Sequence, residues 1–498
     1  MPQMGSPMFP RHWTGLRKVA EYETYDTKAP ASRGPLMTRY VTQNPATGEL
    51  LEEFAELPVG ETEAVIANAE AGYRAWRDVD VAERARLLHR IADLYEERLE
   101  ELARDVTTEM GKPVTAARAE MYTVIGIFRY YAEQGPAMLA HEPIAVQGEG
   151  TAYIRRDPIG VLLAVMPWNF PHYQVARLAA PNLLLGNSLI LKHAGICARS
   201  ALNVQRLFTD AGLPQGVFTS AFIGHEAVAT ILEDDRVQGV SLTGSDAAGA
   251  IISELAGRNV KKAVLELGGS DPFIVAPDAD VARAAEDAVT GRCTNSGQTC
   301  TSSKRFIVVQ EHFDAFVDAF TAGMRSVPFG DPREARTVVG PLSSQDAVEE
   351  IHGIVTDAVA HGARVLVGGE PMPGPGCYYP PTVLVDVDES ARAYREEIFG
   401  PVAVVHCVKD LNAAIRLAND SPYGLSSSVY TTSSAVADEV SARLETGMVW
   451  INSISKSSAE LPFGGVKRSG IGRELGTLGI EEFANHKLVR SPEGLVGA

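Results

Sequence analysis

Between Gly160 and Leu267, five short apolar runs are separated by four helix-like stretches, and no other feature of the chain restricts its fold as strongly. The runs are GVLLAVMP, SLILKH, GVFTSAFIG, GVSLTG and KKAVLEL; between them lie PHYQVARLAAPNLLLG, ARSALNVQRLFTDAG, HEAVATILEDD and SDAAGAIISELAG. Strands buried on both faces read as continuous apolar segments, and short connections through helices force them to run parallel. The fold class is therefore α/β, with helices on both faces of a parallel sheet and ligands expected at the carboxyl ends of its strands.

A second alternating series starts near Asp271 with DPFIV, DVARAAEDAVTGR, KRFIVV and HFDAFVDAFTAGM, and runs on to GMVWIN at 447–452. From Glu61 to about Gly135 the pattern is helical, with Leu and Ile three and four residues apart beside charged partners. No long Pro/Gly/Ser linker parts the two α/β units, so their junction near 266–270 is expected to be tight and to form a cleft. TAYIRRDP at 151–158 and the tail after Glu481 fit neither unit and are expected to serve subunit contacts. Residues 1–36 are expected to be a flexible extension, with Met37 an alternative start.

Charge and cysteine usage narrow the function. The chain has 498 residues and a net charge of −18, a field that repels phosphate backbones and anionic membranes; neither nucleic acid nor membrane is an expected partner. An anionic ligand must then be drawn in by a local cationic cluster. Five Cys without C-x-x-C spacing indicate neither a disulfide framework nor a metal site. The N-terminal segment lacks a secretory apolar core and carries Glu21, Glu23 and Asp26, which transit peptides avoid, so the expected location is cytoplasmic.

Four segments carry residue types suited to chemistry. TGSDAAG at 243–249 places Gly244 and Ser245 at a strand-to-helix turn, where backbone N–H groups can receive a phosphate, although a Ser there also serves as a plain N-cap. Cys300, in NSGQTCTSSK, lies in a small-residue loop whose N–H groups could favour a thiolate; a buried thiol acting as a small hydrophobe is the alternative, and Cys293 is the example of it. Glu266 ends the run AVLEL, where desolvation would raise its pKa and suit it to general base work, or where it could pair with Lys261 or Lys262. Asn169, braced by Pro167 and Pro171, could donate to an oxyanion or simply occupy a turn. The dinucleotide fingerprint G-x-G-x-x-G is absent after GVLLAVMP, and no phosphate-binding P-loop motif occurs.

Taken together, PWNFP at 167–171, LELGGSDPF at 265–273, GQTC at 297–300, EEIFGPV at 396–402 and PFGGVKRSG at 462–470 resemble the aldehyde dehydrogenase superfamily, in family order, from about Asn44 to Phe483. The resemblance implies an enzyme that binds its dinucleotide without the usual glycine fingerprint. It implies Cys300 as nucleophile, Asn169 with the Cys300 N–H as oxyanion donors, and Glu266 as the base that activates water against a thioester. It also implies cofactor contacts from Trp168, Lys192, Gly244, Ser245, Leu267, Glu397 and Phe399, with Lys192 at the adenosine ribose, Glu397 at the nicotinamide ribose and Phe399 at the ring. The implied domains are cofactor-binding (37–140 and 158–266), catalytic (267–450, the chain returning to the cofactor domain over 451–480) and an oligomerisation element (141–157 and 481–498), in a homodimer or homotetramer with no metal.

Within the superfamily the closer resemblance is to bacterial succinate-semialdehyde dehydrogenases. Many NAD-using relatives carry a Glu three residues after the Lys matching Lys192; here that position is Gly195, with His193 nearby. Removing the repulsive carboxylate implies that NADP is preferred while NAD remains usable, unless another residue replaces that Glu from elsewhere in the fold. Arg177 matches an Arg that faces a substrate carboxylate and is expected at the mouth of the tunnel, and Ser457 and Ser458, with Lys456, match the loop at the other end of the substrate. Thr294 stands where some members have a second carboxylate-binding Arg. The expected reaction is oxidation of succinate semialdehyde to succinate; the alternatives are a dehydrogenase of another aliphatic or aromatic aldehyde and a CoA-acylating dehydrogenase, and Glu266 argues against the second because such enzymes need no water-activating base.

Overall fold

The computed structural model describes residues 40–492, so the expected 1–36 extension and the end of the tail, 493–498, lie outside the described residues. Five of the predicted apolar runs form one parallel sheet in the spatial order Lys262–Glu266, Val237–Thr243, Val161–Met166, Ser188–His193, Phe218–Ser220. Chain order reverses between Val161–Met166 and Val237–Thr243. That is the switch point at which the carboxyl ends of doubly wound strands leave a crevice. Gly470–Ile471 adds an antiparallel sixth strand against Lys262–Glu266, bringing a distant segment of the chain beside the candidate base.

The second series forms a seven-stranded sheet in which Asp271–Val275, Ser303–Val309, Thr382–Val385, Val402–Val408, Ser426–Tyr430 and Met448–Ile451 run parallel and Arg364–Val367 closes one edge antiparallel. Its central strands are buried along their whole length, as continuous apolar runs require. The helical region resolves into Thr62–Trp76, Val81–Glu97, Leu99–Met110 and Val114–Met138, which pack on the first sheet through Leu88, Ile91, Val124 and Phe128.

The run GVFTSAFIG yields only three strand residues. After Ser220 the backbone turns to meet a hairpin, Tyr40–Gln43 with Leu50–Phe54, that periodicity did not reveal. The Leu57 N–H donates to the Phe222 carbonyl at 2.6 Å and the Tyr40 hydroxyl to the Ile223 carbonyl at 3.0 Å. Thr151–Pro158 and Ala484–Ser491, which fitted neither unit, pair in an antiparallel three-stranded sheet completed by Glu142–Ile144. Among the described residues no helix is long and apolar enough to cross a membrane.

Candidate active site

At the switch point, between the two sheets, is a cavity of about 270 Å³ lined by Pro167, Trp168, Asn169, Thr243, Gly244, Ser245, Glu266, Leu267, Gly268, Cys300, Glu397 and Phe399. Nine of these had been singled out from sequence. The strand ending at Met166 delivers Trp168 and Asn169, the strand ending at Thr243 delivers Gly244 and Ser245, and the strand ending at Glu266 delivers the carboxyl group. Cys300 arrives from the other sheet, on the loop that precedes Ser303–Val309.

That loop is under constraint. Asn295 and Ser296 both have positive φ, at 53° and 57°, and a side chain on Gly297 would strike the Gly400 backbone at 2.3 Å. Non-glycine residues held in the left-handed region are strained and persist only where surrounding contacts impose them. Here the Asn295 amide donates to the Asn169 carbonyl at 3.0 Å and to the Gln298 carbonyl at 3.1 Å, while the Asn169 amide donates to the same Gln298 oxygen at 3.2 Å. The candidate oxyanion donor is thereby tied to the loop that carries the thiol, and its second N–H remains for a ligand.

The electrostatics differ from the sequence expectation. Burial pushes the Cys300 thiol up to about 12, against the opposing pull of Arg177 and Lys304, so the resting group is a thiol rather than a thiolate. Cys293, fully buried beside the Met324 sulfur, is the small hydrophobe it was expected to be. Glu266 is pushed well above the usual carboxylate range by burial, and neither of its oxygens has a hydrogen-bond partner among the described residues. Lys261 and Lys262 do not reach it: they bind the backbone carbonyls of Asp234 and Glu482.

Two expectations need correction. Arg177 is not at a tunnel mouth; it is fully buried and ion-paired with Glu474 at 2.6 Å, between the rings of Tyr173 and Phe463. His193 does not face a cofactor. It is wholly buried, its Nε2 contacts the Pro171 carbonyl at 2.9 Å, its Nδ1 accepts from the Ala194 N–H, and burial lowers its pKa to about 4, so it is a neutral brace beneath the Pro167–Pro171 turn. Sequence reasoning missed Glu474 and Tyr173. Glu474 carried no local signal, because its role depends on a strand pairing between residues far apart in the chain.

Around the cavity the donor set fits a dinucleotide. Ser245 is the N-cap of Asp246–Arg258, accepting from the Ala248 N–H, so the bland role and an open helix terminus coexist. The Glu397 carboxylate accepts from the Gly269 N–H at 3.1 Å and is ion-paired with Lys304 at 3.1 Å; a side chain on Gly268 would meet its Oε2 at 2.3 Å. Trp168 and Phe399 meet edge to face at 5.6 Å, walling a slot for a flat ring. Outside this cavity, Lys192 and Gly195 lie at and just beyond the end of Ser188–His193, Lys456 is exposed, Ser458 is half-buried, and the Ser457 hydroxyl contacts the Tyr173 hydroxyl at 2.5 Å.

The chain matches the aldehyde dehydrogenase family over residues 34–489. It is 47% identical over 452 residues to a succinate-semialdehyde dehydrogenase (NADP+) of Deinococcus radiodurans, covering 91% of this chain and 94% of that one. It is 45% identical to a succinate semialdehyde dehydrogenase (NAD(P)+) of Escherichia coli, covering 91% and 98%. A crystal structure of succinic semialdehyde dehydrogenase from Streptococcus pyogenes in complex with NADP+ superposes with a TM-score of 0.88 at 40% identity, covering 90% of this chain and 99% of that one. With a cysteine, an amide and a carboxyl group meeting at one switch-point cavity, and with likeness of this extent in both sequence and structure, this chain belongs to the aldehyde dehydrogenase family.

Proposed function

We propose that the protein oxidises succinate semialdehyde to succinate, using NADP in preference and NAD as well. One observation carries this reading: Cys300, Asn169 and Glu266 share a single cavity with Glu397 and Phe399. The names of the relatives supply the substrate class and both cofactors.

In this reading the Cys300 sulfur attacks the aldehyde carbon as its S–H proton is released to bulk solvent, the proton that the overall oxidation sets free. The carbonyl oxygen becomes an oxyanion held by the free Asn169 N–H and the Cys300 backbone N–H, donors already in place before charge develops. A bound nicotinamide supplies the hydride acceptor. Glu397 would hold the ribose next to that ring, Phe399, Trp168 and Leu267 would border the ring, and Gly244 and Ser245 would hold the diphosphate. The thioester left on Cys300 is cleaved when Glu266, once ionised, takes a proton from water; the carboxylic acid departs and the thiol is restored.

The substrate carboxylate is assigned to the Ser457–Ser458 loop, with Lys456 at its rim and the Tyr173 hydroxyl beside it. Buried Arg177 adds positive potential to the cavity, its Nε already taken by the Glu474 carboxylate. Residues 37–140 and 158–266 act as the cofactor domain and 267–450 as the catalytic domain. The sheet of Glu142–Ile144, Thr151–Pro158 and Ala484–Ser491 serves as the contact of a cytoplasmic homo-oligomer. The test is the near-ultraviolet absorbance of reduced nicotinamide with succinate semialdehyde, an uncharged aldehyde of similar length and an aromatic aldehyde, each with both cofactors. Highest kcat/KM for the carboxylated substrate supports the reading, and equal values across the three overturn it.

A further inference from the structure

Lys192 is 8% exposed, its ammonium makes no hydrogen bond to any described residue, and its nearest aromatic ring, Tyr40, is 5.8 Å away. A buried ammonium without a partner is costly, and such a group calls for a ligand. Close to it is a second unsatisfied group of opposite sign. Glu56 follows the strand Leu50–Phe54, and its Oε2 is buried with no hydrogen-bond partner among the described residues.

The position of Glu56 is set by tertiary contacts. The Leu57 N–H binds the Phe222 carbonyl at 2.6 Å, Phe54 meets Phe222 edge to face at 5.3 Å, and Tyr40 stacks on Phe222 at 4.6 Å. These contacts press the carboxylate onto Gly224, where an added Cβ would lie 2.0 Å from Oε1. Gly224 follows the strand Phe218–Ser220, which pairs with Ser188–His193, so Glu56 and Lys192 border the carboxyl ends of two neighbouring parallel strands. They form no ion pair with each other, yet the field of Glu56 raises the Lys192 pKa against the lowering by burial.

We propose that Glu56 is a cofactor-selectivity residue, its carboxylate standing in for the acidic side chain missing at Gly195: it accepts a hydroxyl of the adenosine ribose and opposes a 2′-phosphate at Lys192. The inference rests on the reading that Lys192 faces that ribose. A phosphate entering beside Lys192 gains the ammonium and meets the carboxylate, so the preference for NADP is tempered and NAD stays usable. Sequence spacing pointed to position 195; the acidic group comes instead from a hairpin more than a hundred residues earlier.

The test uses calorimetric binding of 5′-AMP and of adenosine 2′,5′-bisphosphate to the full chain, with kcat/KM for NAD and NADP alongside. In Glu56→Gln and Glu56→Ala the bisphosphate should bind on the order of tenfold tighter, while 5′-AMP weakens about twofold or more as the hydroxyl acceptor is lost. An unchanged ratio of the two affinities in both variants overturns the proposal, even if melting temperature changes, because a carboxylate that only caps the helix His225–Glu233 would alter stability alone. Lys192→Met separates the two levels. If it abolishes the bisphosphate preference while the Glu56 variants do nothing, the ribose reading stands and this inference falls; if it affects neither nucleotide, both fall.

Discussion

The Arg177 guanidinium and the Glu474 carboxylate form a buried ion pair at 2.6 Å on the flank of Glu266. One cation thus faces two carboxyl groups. Glu474 takes the contact, and Glu266, desolvated and without a hydrogen-bond partner among the described residues, has its pKa raised toward the acid form.

Because Arg177 is the counter-ion of a buried carboxylate, Arg177→Leu should destabilise the fold by about 3–5 kcal/mol, the usual cost of leaving one member of a buried pair alone. Activity should fall by similar factors for charged and uncharged aldehydes. Thermal melting and paired rate measurements check this; a loss confined to succinate semialdehyde would return Arg177 to direct contact with substrate.

Glu266 has its pKa raised, so the ionised base accumulates only as pH climbs from the acidic into the neutral and alkaline range, and the deacylation rate should climb with it. In Glu474→Gln, Arg177 is left to act on Glu266, lowering its pKa and moving that limb to lower pH. Glu266→Gln should remove the limb and leave a burst of reduced cofactor followed by slow turnover. Stopped-flow absorbance across pH reads all three.

Cys300→Ala should abolish turnover while nucleotide binding persists, since the sulfur is the attacking atom in the proposed mechanism. Cys293→Ala should keep most activity and lose roughly 1–2 kcal/mol of stability by opening a small cavity beside Met324. Activity retained in the first variant, or abolished in the second with its stability intact, would exchange their roles.

Beneath the Asn169 turn, Lys112 and Glu120 form a fully buried ion pair, and the other Glu120 oxygen accepts the His172 and Tyr173 N–H groups at 2.9 and 3.0 Å. The Lys112 ammonium also sits over the Phe170 ring at 3.7 Å. Glu120 is therefore placed to position the turn that carries Asn169, the proposed oxyanion donor. Glu120→Gln should lower kcat on the order of tenfold or more with KM for the nucleotide nearly unchanged, and a matching loss in nucleotide binding would show a general structural role instead.

Glu109, buried and hydrogen-bonded to Ser200, has its pKa pushed up to about 8 by burial. The folded chain keeps a proton that the unfolded chain releases above the ordinary value of 4.5. This group's contribution is thus complete at low pH and falls, by up to about 1.4 kcal/mol per pH unit, until pH passes the folded value. Denaturant unfolding should show Glu109→Gln less sensitive than wild type to a rise from about pH 5 to about pH 8.

The strand Ser188–His193 coincides with its apolar run, and Cys300, Glu266 and Asn169 were all identified from sequence. Glu266 ends a strand and Asn169 follows one, so their placement at the carboxyl edge follows from chain direction alone; Cys300 arrives on the loop before Ser303–Val309 of the other sheet, and only the tertiary structure brings it to them. The small residues around Cys300 pointed to N–H donors that favour a thiolate; the sulfur does line the cavity, but burial raises its pKa instead of lowering it, because residues from the other sheet keep water from it. His193 was misplaced for a related reason: being next to Lys192 in sequence says nothing about which side of a strand a ring occupies, and alternate residues face opposite ways.

By itself the sequence determined the alternation of strands and helices, the two α/β units and the candidates for the reactive groups, since hydrophobic period and motif order are written within short windows. Only the tertiary structure decided that Arg177 belongs to Glu474, that Glu266 is left without a partner, and that Glu56 stands near Lys192. Those relations depend on which remote segments come together and on how much water they exclude, and no local pattern encodes either.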